Sequence, residues 1–289
     1  MKTALLRAAM FAACFFAALS GANAQSVPAS ALQTAGEIHF AADFAAPPNQ
    51  FIDAQGRMDG LNVDLCGEIA KRLNLRIRWT NLAFPGLVPG LQANRFDALC
   101  TAIFVNPQRL EIMNMVSYVQ WGEGMMMRAN DPQIARCTPT SGDAASYSAC
   151  FDQLAGRAVA VASAGTTHQN LRAQNERMKA AGKAEMTIRA FDTNGDAIQA
   201  VVSGQAAAVY VNDPQGAFFI NREPANQAAY RMAFVGFNPN RLAIATLKPN
   251  RALAESIKGA LEGMRADGTY GRIVAKWGVA AVPEFAIQP

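Results

Sequence analysis

Arg109 carries a positive charge at a point in the sequence where that charge needs a partner. Asn106 can cap a helix and Pro107 suits its first position, so Arg109 falls in the first helical turn. There the cation faces the positive end of the helix dipole, which costs about 0.3–1 kcal/mol. A carboxylate would compensate, because charge-assisted hydrogen bonds contribute about 1.5–3 kcal/mol. The sequence therefore predicts that Arg109 grips a carboxylate, with a surface ion pair to Glu111 as the alternative.

A second place with chemical potential is the start of a helix at Thr167. The free N–H groups of a helix N-terminus bind anions or other hydrogen-bond acceptors, which predicts ligand contacts for Thr167 and His168. The alternative is local, since Thr166 and Gln169 have the spacing of a capping box and could serve only the helix. His168 has no partner for a metal, so we expect no metal site.

Other catalytic and cofactor-binding patterns are absent from the sequence. We find no Ser-His-Asp or Cys-His arrangement, no phosphate-binding loop and no dinucleotide-binding glycine fingerprint. The formal net charge of +4 falls to +2 if the first 24 residues, which include Lys2 and Arg7, are removed. The remaining basic residues are scattered and form no footprint for nucleic acid. We therefore expect a protein without cofactors that does not bind nucleic acid.

Residues 1–24 predict a signal peptide. Lys2 and Arg7 begin it, Ala8–Leu19 is apolar, and Ala22-Asn23-Ala24 has the small-x-small pattern of a cleavage site. The apolar run of about a dozen residues is shorter than the roughly 20 that span a membrane. We expect export to the periplasm with cleavage after Ala24.

Four cysteines follow this segment, and an even number in an exported protein favours disulfides. Cys137 and Cys150 flank a polar segment rich in turn formers and small residues, so we predict that they close this loop. A bond there would contribute about 3 kcal/mol. Cys66, early in a helix, and Cys100, at the end of a strand, form a second pair or remain two buried thiols.

The chain alternates strands with helices, which predicts an α/β fold. Strand patterns cover Ile38–Ala42, Leu75–Trp79, Arg95–Ile103, Arg157–Ala162, Met186–Phe191, Ala206–Val211 and Leu242–Leu247. Helical patterns cover Asn62–Leu73, Gly86–Gln92, Thr167–Ala181, Asp196–Ser203 and a stripe of Leu253, Ile257, Leu261 and Met264. About 265 residues after cleavage exceed the usual size of one domain. We expect two lobes tied by short, ordered crossovers.

Six sequence blocks resemble the amino-acid-type (family 3) periplasmic solute-binding proteins of ABC transporters, over about residues 38–278. The blocks are Gly60–Leu65, Phe84–Ala98, Asn106–Arg109, Gly165–Thr167, Met264–Tyr270 and Lys276–Gly278. They are similar to the family's Gly-Phe-Asp entrance to the first helix, its Leu-Ile-Pro-x-Leu block, its Thr-Pro-Glu-Arg turn, its Gly-Thr-Thr motif and its closing helices. Each block is weak alone, but their order and spacing together are specific.

The resemblance implies a type II periplasmic-binding-protein fold with two lobes. Each lobe would be a mixed sheet flanked by helices, and two crossover strands would join them. Residues 25–127 and 239–289 would form the first lobe, and residues 128–238 the second. The family's function implies capture of an amino acid or related small carboxylate by hinged closure, delivery to an ABC transporter permease, and a monomer.

The resemblance also assigns ligand contacts to both lobes. Arg109 would bind the α-carboxylate, Phe84 would stack on the ligand, and Asp43 would receive a basic side chain. The other positions placed along the ligand are Thr101, Ala102, Phe104, Ser163, Thr167, His168, Asn212 and Asp213. Core packing is the alternative for Phe84, and a solvated loop acid is the alternative for Asp43.

Three positions depart from the family pattern. Phe104 stands where Thr or Ser is common, which removes one hydrogen bond to the carboxylate. Asn212 stands where an aspartate usually takes the α-ammonium group, and the neighbouring Asp213 could substitute. Ala46 stands where an aromatic side chain often covers the ligand. These departures predict a wider or differently shaped pocket whose carboxylate grip is more secure than its ammonium site.

Two other functions are compatible with the same scaffold. A periplasmic enzyme similar to cyclohexadienyl dehydratases would need a carboxyl group with a raised pKa facing the ligand. Glu123, Asp43 and Asp213 are the candidates for that group. A ligand-sensing partner of a membrane receptor would use the same binding chemistry.

Overall fold

The computed structural model describes residues 27–133, 144–163, 165–279 and 281–288. Within them the strands are β1 (Glu37–Ala42), β2 (Ala45–Ala46), β3 (Gln50–Ile52), β4 (Met58–Asp59), β5 (Arg76–Asn81), β6 (Ala98–Leu99), β7 (Met113–Arg128), β8 (Ala158–Ala162), β9 (Thr187–Phe191), β10 (Ala208–Asn212), β11 (Tyr230–Leu247) and β12 (Ile287–Gln288). The helices are α1 (Leu61–Arg72), α2 (Phe84–Gln92), α3 (Pro107–Ile112), α4 (Ala144–Gln153), α5 (Thr166–Ala180), α6 (Asn194–Val202), α7 (Asp213–Asn221), α8 (Pro224–Ala229), α9 (Arg251–Ala266) and α10 (Thr269–Lys276).

One mixed sheet runs through the molecule in the order β5-β1-β6-β11-β7-β10-β8-β9, with β12 added to β7. Strand β1 is parallel to β5 and β6, and β8 is parallel to β9 and β10. Between these two groups, β7 and β11 pair antiparallel over their length. We call the side with β1, β5 and β6 the first lobe and the side with β8, β9 and β10 the second lobe. The predicted two-lobed α/β fold with two crossover strands is confirmed.

The crossovers are ordered and lie within two long strands, and the stretch between the pairings of the two lobes runs only from Trp121 to Glu123 in β7 and from Phe237 to Asn240 in β11. β7 has 16 residues and β11 has 18, and each belongs to both lobes. The pairing of β7 with β11 shifts register between Phe234 and Phe237 and again between Phe237 and Asn240. Register shifts locally bend and twist a strand pair, which places the bend between the lobes. The lobe boundaries predicted from the sequence remain a prediction.

The C-terminal helix α9 packs on the first lobe. Leu253, Ile257 and Leu261 are fully buried in one cluster with Leu65 and Ile69 of α1. The apolar stripe therefore has the partner that it needs, and the last helices return to the lobe in which the chain begins. Within the described residues, none of the helices combines the length and apolarity that crossing a membrane requires.

The two lobes touch each other on one side of the crossover strands. The ring of Phe51 in β3 of the first lobe lies 5.5 Å from that of Phe218 in α7 of the second lobe. Arg109 and Thr166 come within 3.4 Å across the same gap. The described arrangement is thus a closed one.

A disulfide joins Cys66 in α1 to Cys100, just after β6. The second pair of the sequence prediction is therefore confirmed, and the alternative of two free thiols is wrong. The bond fixes α1 to the end of β6, where the chain turns toward the gap between the lobes. Cys137 lies outside the described residues, so its predicted bond to Cys150 remains a prediction.

Replacing both Cys66 and Cys100 with alanine should lower the free energy of unfolding by about 3–4 kcal/mol, because the bond closes a loop of about 34 residues. Urea denaturation of the wild type and the double variant, without reductant, measures the difference. A double variant within about 0.5 kcal/mol of the wild type would show that the bond contributes little to stability.

Candidate functional site

The candidate site is a narrow cleft between the lobes, at the carboxyl ends of the parallel strands. Ligands of open α/β sheets bind at this edge. Asp43 follows β1, Thr101 follows β6, Ser163 follows β8 and Asn212 ends β10. The cleft is lined by Asp43, Ala46, Phe84, Thr101, Ala102, Phe104, Arg109, Ala162, Ser163, Gly165, Thr166, Thr167, Asn194 and Asn212.

Most of the predicted ligand contacts meet in this cleft. The structure brings together Asp43, Phe84, Thr101, Ala102, Phe104, Arg109, Ser163, Thr167 and Asn212, and it leaves out His168 and Asp213. Ligand contact by the nine residues that line the cleft remains a prediction. Because these residues converge from four strand ends, that prediction now has a defined geometry.

Arg109 is a buried cation without an anionic partner among the described residues. Asn106 caps α3, its Oδ1 accepting from the Arg109 N–H at 2.9 Å, and the Arg109 side chain is 8% exposed. Its Nη1 donates to the Phe104 carbonyl oxygen at 2.7 Å and to Thr166 Oγ1 at 3.4 Å, and its guanidinium lies 5.6 Å from the Phe84 ring centre. Burial lowers the pKa of Arg109 to about 10, so the group stays charged at neutral pH. The predicted alternative of an ion pair with Glu111 is wrong, because the guanidinium turns into the cleft.

A buried hydrogen-bond network holds the first-lobe wall of the cleft. Gln50 Nε2 donates to the Asp43 carbonyl oxygen at 2.7 Å and to Thr101 Oγ1 at 3.0 Å. Asn62 Nδ2 donates to Gln50 Oε1 at 2.8 Å, and the Tyr118 hydroxyl donates to Asn62 Oδ1 at 2.6 Å. Because Tyr118 belongs to β7, the network ties the cleft wall to a crossover strand.

Asp43 is a cleft acid and not a solvated loop acid, since it is 3% exposed. Burial raises the pKa of its carboxyl group, while hydrogen bonds from the backbone N–H groups of Ala45 and Phe84 oppose that shift. The Asp43 carboxyl group thus lines the cleft, and the protein's hydrogen bonds offset only part of the cost of burying its charge.

The second lobe presents the first turn of α5 to the cleft. Gly165 is the N-cap of this helix and makes no side-chain cap bond, so the capping-box alternative for Thr166 and Gln169 is wrong. Thr166 and Thr167 line the cleft, whereas His168 does not. Each residue turns about 100° around a helix, which carries the third side chain of this run away from the face that the first two present. Burial, followed by the charge of Arg172, lowers the pKa of His168.

Asn212 offers the cleft a hydrogen-bond acceptor. It ends β10, precedes α7 and is 5% exposed. Its Oδ1 has no hydrogen-bond partner among the described residues. Buried polar atoms are nearly always paired in folded proteins. The Asn212 Oδ1 is therefore suited to accept a hydrogen bond from a ligand.

Asp213 faces the crossover strands instead of the cleft, so it cannot substitute for Asn212 there. Its Oδ2 accepts from the Gly236 N–H at 2.8 Å. A side chain at Gly122 would place a Cβ 2.5 Å from Asp213 Oδ2, and one at Gly124 would lie 2.7 Å from Oδ1. These glycines leave the space into which the aspartate turns.

Glu123 shares this region of the crossover strands. It is 1% exposed, accepts from Asn170 Nδ2 at 2.9 Å and from the Tyr210 hydroxyl, and is absent from the cleft lining. Burial raises the pKa of Glu123, and it also raises the pKa of Asp213 to about 6, with the charge of Glu123 adding to that shift. Glu123 is buried and Asp213 is half-buried beside it at the hinge, and we call the two the hinge acids.

Sequence reasoning missed several residues that shape the cleft. Gln50 and Asn62 hold its wall, while Thr166 and Asn194 line it. Thr166 adjoins a predicted contact, and Asn194 begins a helix directly after a strand of the second lobe, so position alone could have suggested both. Gln50 lies in a short strand with no recognisable motif. No group of three or more His, Cys, Asp or Glu side chains in the described part of the chain is arranged to hold a metal ion.

The chain belongs to the bacterial extracellular solute-binding proteins, family 3, which match residues 38–280. The ABC transporter arginine-binding protein 1 of Escherichia coli (strain K12) is 23% identical over 243 residues, which cover 83% of this chain and 90% of that protein. Family membership confirms the resemblance seen in the sequence blocks and the predicted solute-binding class.

Solved structures agree with this fold. An ancestral arginine-binding protein bound to arginine superposes with a TM-score of 0.72 at 24% identity, covering 84% of this chain and 98% of that one. An ancestral amino acid-binding protein, a precursor of cyclohexadienyl dehydratase, gives a TM-score of 0.69 at 25% identity, covering 84% and 95%. The two-lobed arrangement is thus shared with proteins of known structure over nearly their whole length.

The hinge acids make stability depend on pH. Asp213 has a pKa of about 6 when folded, above its value of 3.8 in an unfolded chain, so the folded state loses stability as pH rises through this window. Asp213→Asn cannot ionise, and its stability relative to the wild type should increase by about 2–3 kcal/mol between pH 4 and pH 7. Urea denaturation at a series of pH values measures the difference. The matched control is Asp192→Asn, an exposed aspartate in the same lobe. A constant difference between Asp213→Asn and the wild type would contradict the raised pKa of Asp213.

Proposed function

We propose that this protein is the periplasmic binding component of an ABC importer and captures an amino acid or related small carboxylate between its lobes. The observation that carries the proposal is the buried guanidinium of Arg109, which has no anionic partner among the described residues. Isolated buried charge is costly unless it is paired. A ligand carboxylate supplies the missing charge, and the arginine-binding and amino acid-binding names of its relatives support this choice of ligand class.

Binding and closure are one event in this proposal. Arg109 reaches Thr166 of the second lobe at 3.4 Å, so a carboxylate held there meets the guanidinium and the first turn of α5 together. A ligand that contacts both lobes favours the closed form over the open one. The register shifts in β7 and β11 provide the bend, and the closed shape is what the permease recognises. The protein acts as a monomer in the periplasm, after removal of residues 1–24.

The ammonium group of an amino acid would lie near Asn212. The unpaired Oδ1 of Asn212 accepts a hydrogen bond from –NH3⁺ but supplies no negative charge. Asp43, on the opposite wall, is then the carboxylate available to a basic ligand group. The site consequently holds the carboxylate of its ligand more firmly than the amine.

An enzymatic role on the same scaffold has one remaining candidate acid. Glu123 and Asp213 are hinge acids outside the cleft, whereas Asp43 lines the cleft and has a pKa raised by burial. A carboxyl group of that kind can act as a general acid, and the structural similarity to a precursor of cyclohexadienyl dehydratase makes dehydration of a cyclohexadienyl carboxylate the reaction to assay. Turnover by the wild type that Asp43→Asn abolishes would favour this second function.

A thermal-shift screen of refolded, ligand-stripped protein against amino acids and small organic acids tests the main proposal. A ligand at 100 times its Kd adds about 2.7 kcal/mol of stability, which raises the Tm measurably. Arg109→Ala should abolish the shift, whereas the matched control Arg172→Ala, an exposed arginine outside the cleft, should retain it. If no carboxylate stabilises the wild type, or if Arg109→Ala responds equally, the proposal is wrong.

Asn212→Asp should strengthen the amine site. A carboxylate beside the ligand ammonium adds a charge-assisted hydrogen bond, so the preference for an amino acid over its 2-hydroxy acid analogue should rise by about tenfold or more. Titration calorimetry with both compounds on wild type and variant gives the ratio. An unchanged ratio would place the ammonium group away from Asn212.

A further inference from the structure

The closed cleft leaves little space for a ligand. The volume between its walls is about 30 Å³, even though position 46 holds only an alanine. One water molecule needs about 10–15 Å³ of such space, so the cleft holds about two to three groups of that size. A ligand that fits the closed arrangement must therefore be compact.

The lining of the cleft is enclosed by both lobes. The buried lining residues are Asp43, Ala46, Thr101, Ala102, Phe104, Arg109, Ala162, Thr167 and Asn212. The half-buried ones, which we call the rim, are Phe84, Ser163, Gly165, Thr166 and Asn194. Because the buried residues come from both lobes, a longer ligand chain has to leave the cleft across the rim.

Contacts between the lobes oppose a wider cleft. Arg109 Nη1 donates to Thr166 Oγ1 at 3.4 Å across the gap, and the rings of Phe51 and Phe218 lie 5.5 Å apart. Aromatic pairs at this separation attract each other. A larger ligand would hold the lobes further apart and break both contacts, so it would favour the closed form less than a ligand that fits between the walls.

The guanidinium of Arg109 takes up part of this small space with its ligand carboxylate. Nη1 already donates to the Phe104 carbonyl oxygen and to Thr166. Nε and Nη2 have no partner among the described residues, and they are not among the atoms enclosed by protein. These two N–H groups lie on one edge of the guanidinium and suit the two oxygens of a carboxylate. Once a carboxylate is bound there, space remains for only a few further atoms.

We propose that the ligand is a compact carboxylate of about two or three carbons, such as glycine, L-alanine or glycolate, and that the closed cleft excludes amino acids with long side chains. The inference rests on the proposed function, and it deepens that function by naming the ligand class. It also separates this chain from the relatives that are named for arginine.

Titration calorimetry of refolded, ligand-stripped wild type with acids of increasing length tests the size limit. Glycine, L-alanine, L-norvaline and L-norleucine lengthen the side chain without adding charge, glycolate and L-lactate replace the amine, and L-arginine represents long basic ligands. A two- or three-carbon acid should bind most tightly, and L-norleucine and L-arginine should bind about tenfold or more weakly, because they hold the lobes apart. If affinity rises with chain length, or if L-arginine binds as tightly as glycine, the size limit is overturned while the carboxylate grip stands.

A rim variant tests whether this cleft sets the limit. Phe84→Ala removes a ring that lies 5.6 Å from the Arg109 guanidinium, so the preference for glycine over L-norleucine should fall by about tenfold. The matched control Phe219→Ala truncates another half-buried phenylalanine, which lies outside the cleft, and should keep the wild-type preference. An unchanged preference in Phe84→Ala would place the limit elsewhere and overturn the inference. If no carboxylate binds the wild type, the proposed function fails and the size limit fails with it.

Discussion

The unpaired positive charge of Arg109 is the constraint on which the rest of the cleft depends. Burying a guanidinium without a counter-ion costs several kcal/mol of solvation, and the protein compensates only in part. The Phe104 carbonyl oxygen and the Phe84 ring face the group, but neither carries a net charge. A buried cation of this kind is tolerated in a cleft where a bound ligand supplies the counter-ion. The unpaired charge lowers the stability of the unliganded protein, and for the same reason the closed cleft binds an anion selectively.

The architecture of the sheet explains how one small ligand can move two lobes. β7 and β11 each run through both lobes, so a change at the cleft is transmitted along continuous backbone. The network from Thr101 through Gln50 and Asn62 to Tyr118 connects the cleft wall to β7. Of the hinge acids, Glu123 lies on β7, and Asp213 begins α7 and packs against β7 beside Gly122 and Gly124. The binding chemistry and the hinge are thus built on shared elements.

Much of the fold and the first-lobe grip could be predicted from sequence, because local rules govern them. The cap at Asn106 fixes α3, and the stripe of α9 needs the first lobe to cover it. The residues of the crossover strands were predicted only for Leu242–Leu247 at the end of β11, and the rest escaped prediction for physical reasons. β7 is buried on both faces, so it lacks the alternation that marks a strand, and β11 contains Gly236 and Pro239, which are typical of turns. His168 was assigned to the cleft because it lies at the start of a helix and matches a ligand-contacting position of the family, but helix rotation turns it away. Asp213 was assigned as the neighbour of Asn212, but it turns into the glycine-lined space beside the hinge. Gln50 gave no sequence pattern, since its importance arises from tertiary contacts.

The most direct test of the account pairs Arg109 with the ligand carboxylate in a double-mutant cycle. Titration calorimetry would compare the amino acid that raises the Tm most with its carboxamide, on wild type and Arg109→Ala. If the guanidinium binds the carboxylate, the wild type should prefer the acid by about 10–100-fold, and the variant should lose that preference. An equal preference in both proteins would mean that the carboxylate is held by another group and that the charge of Arg109 has a different purpose.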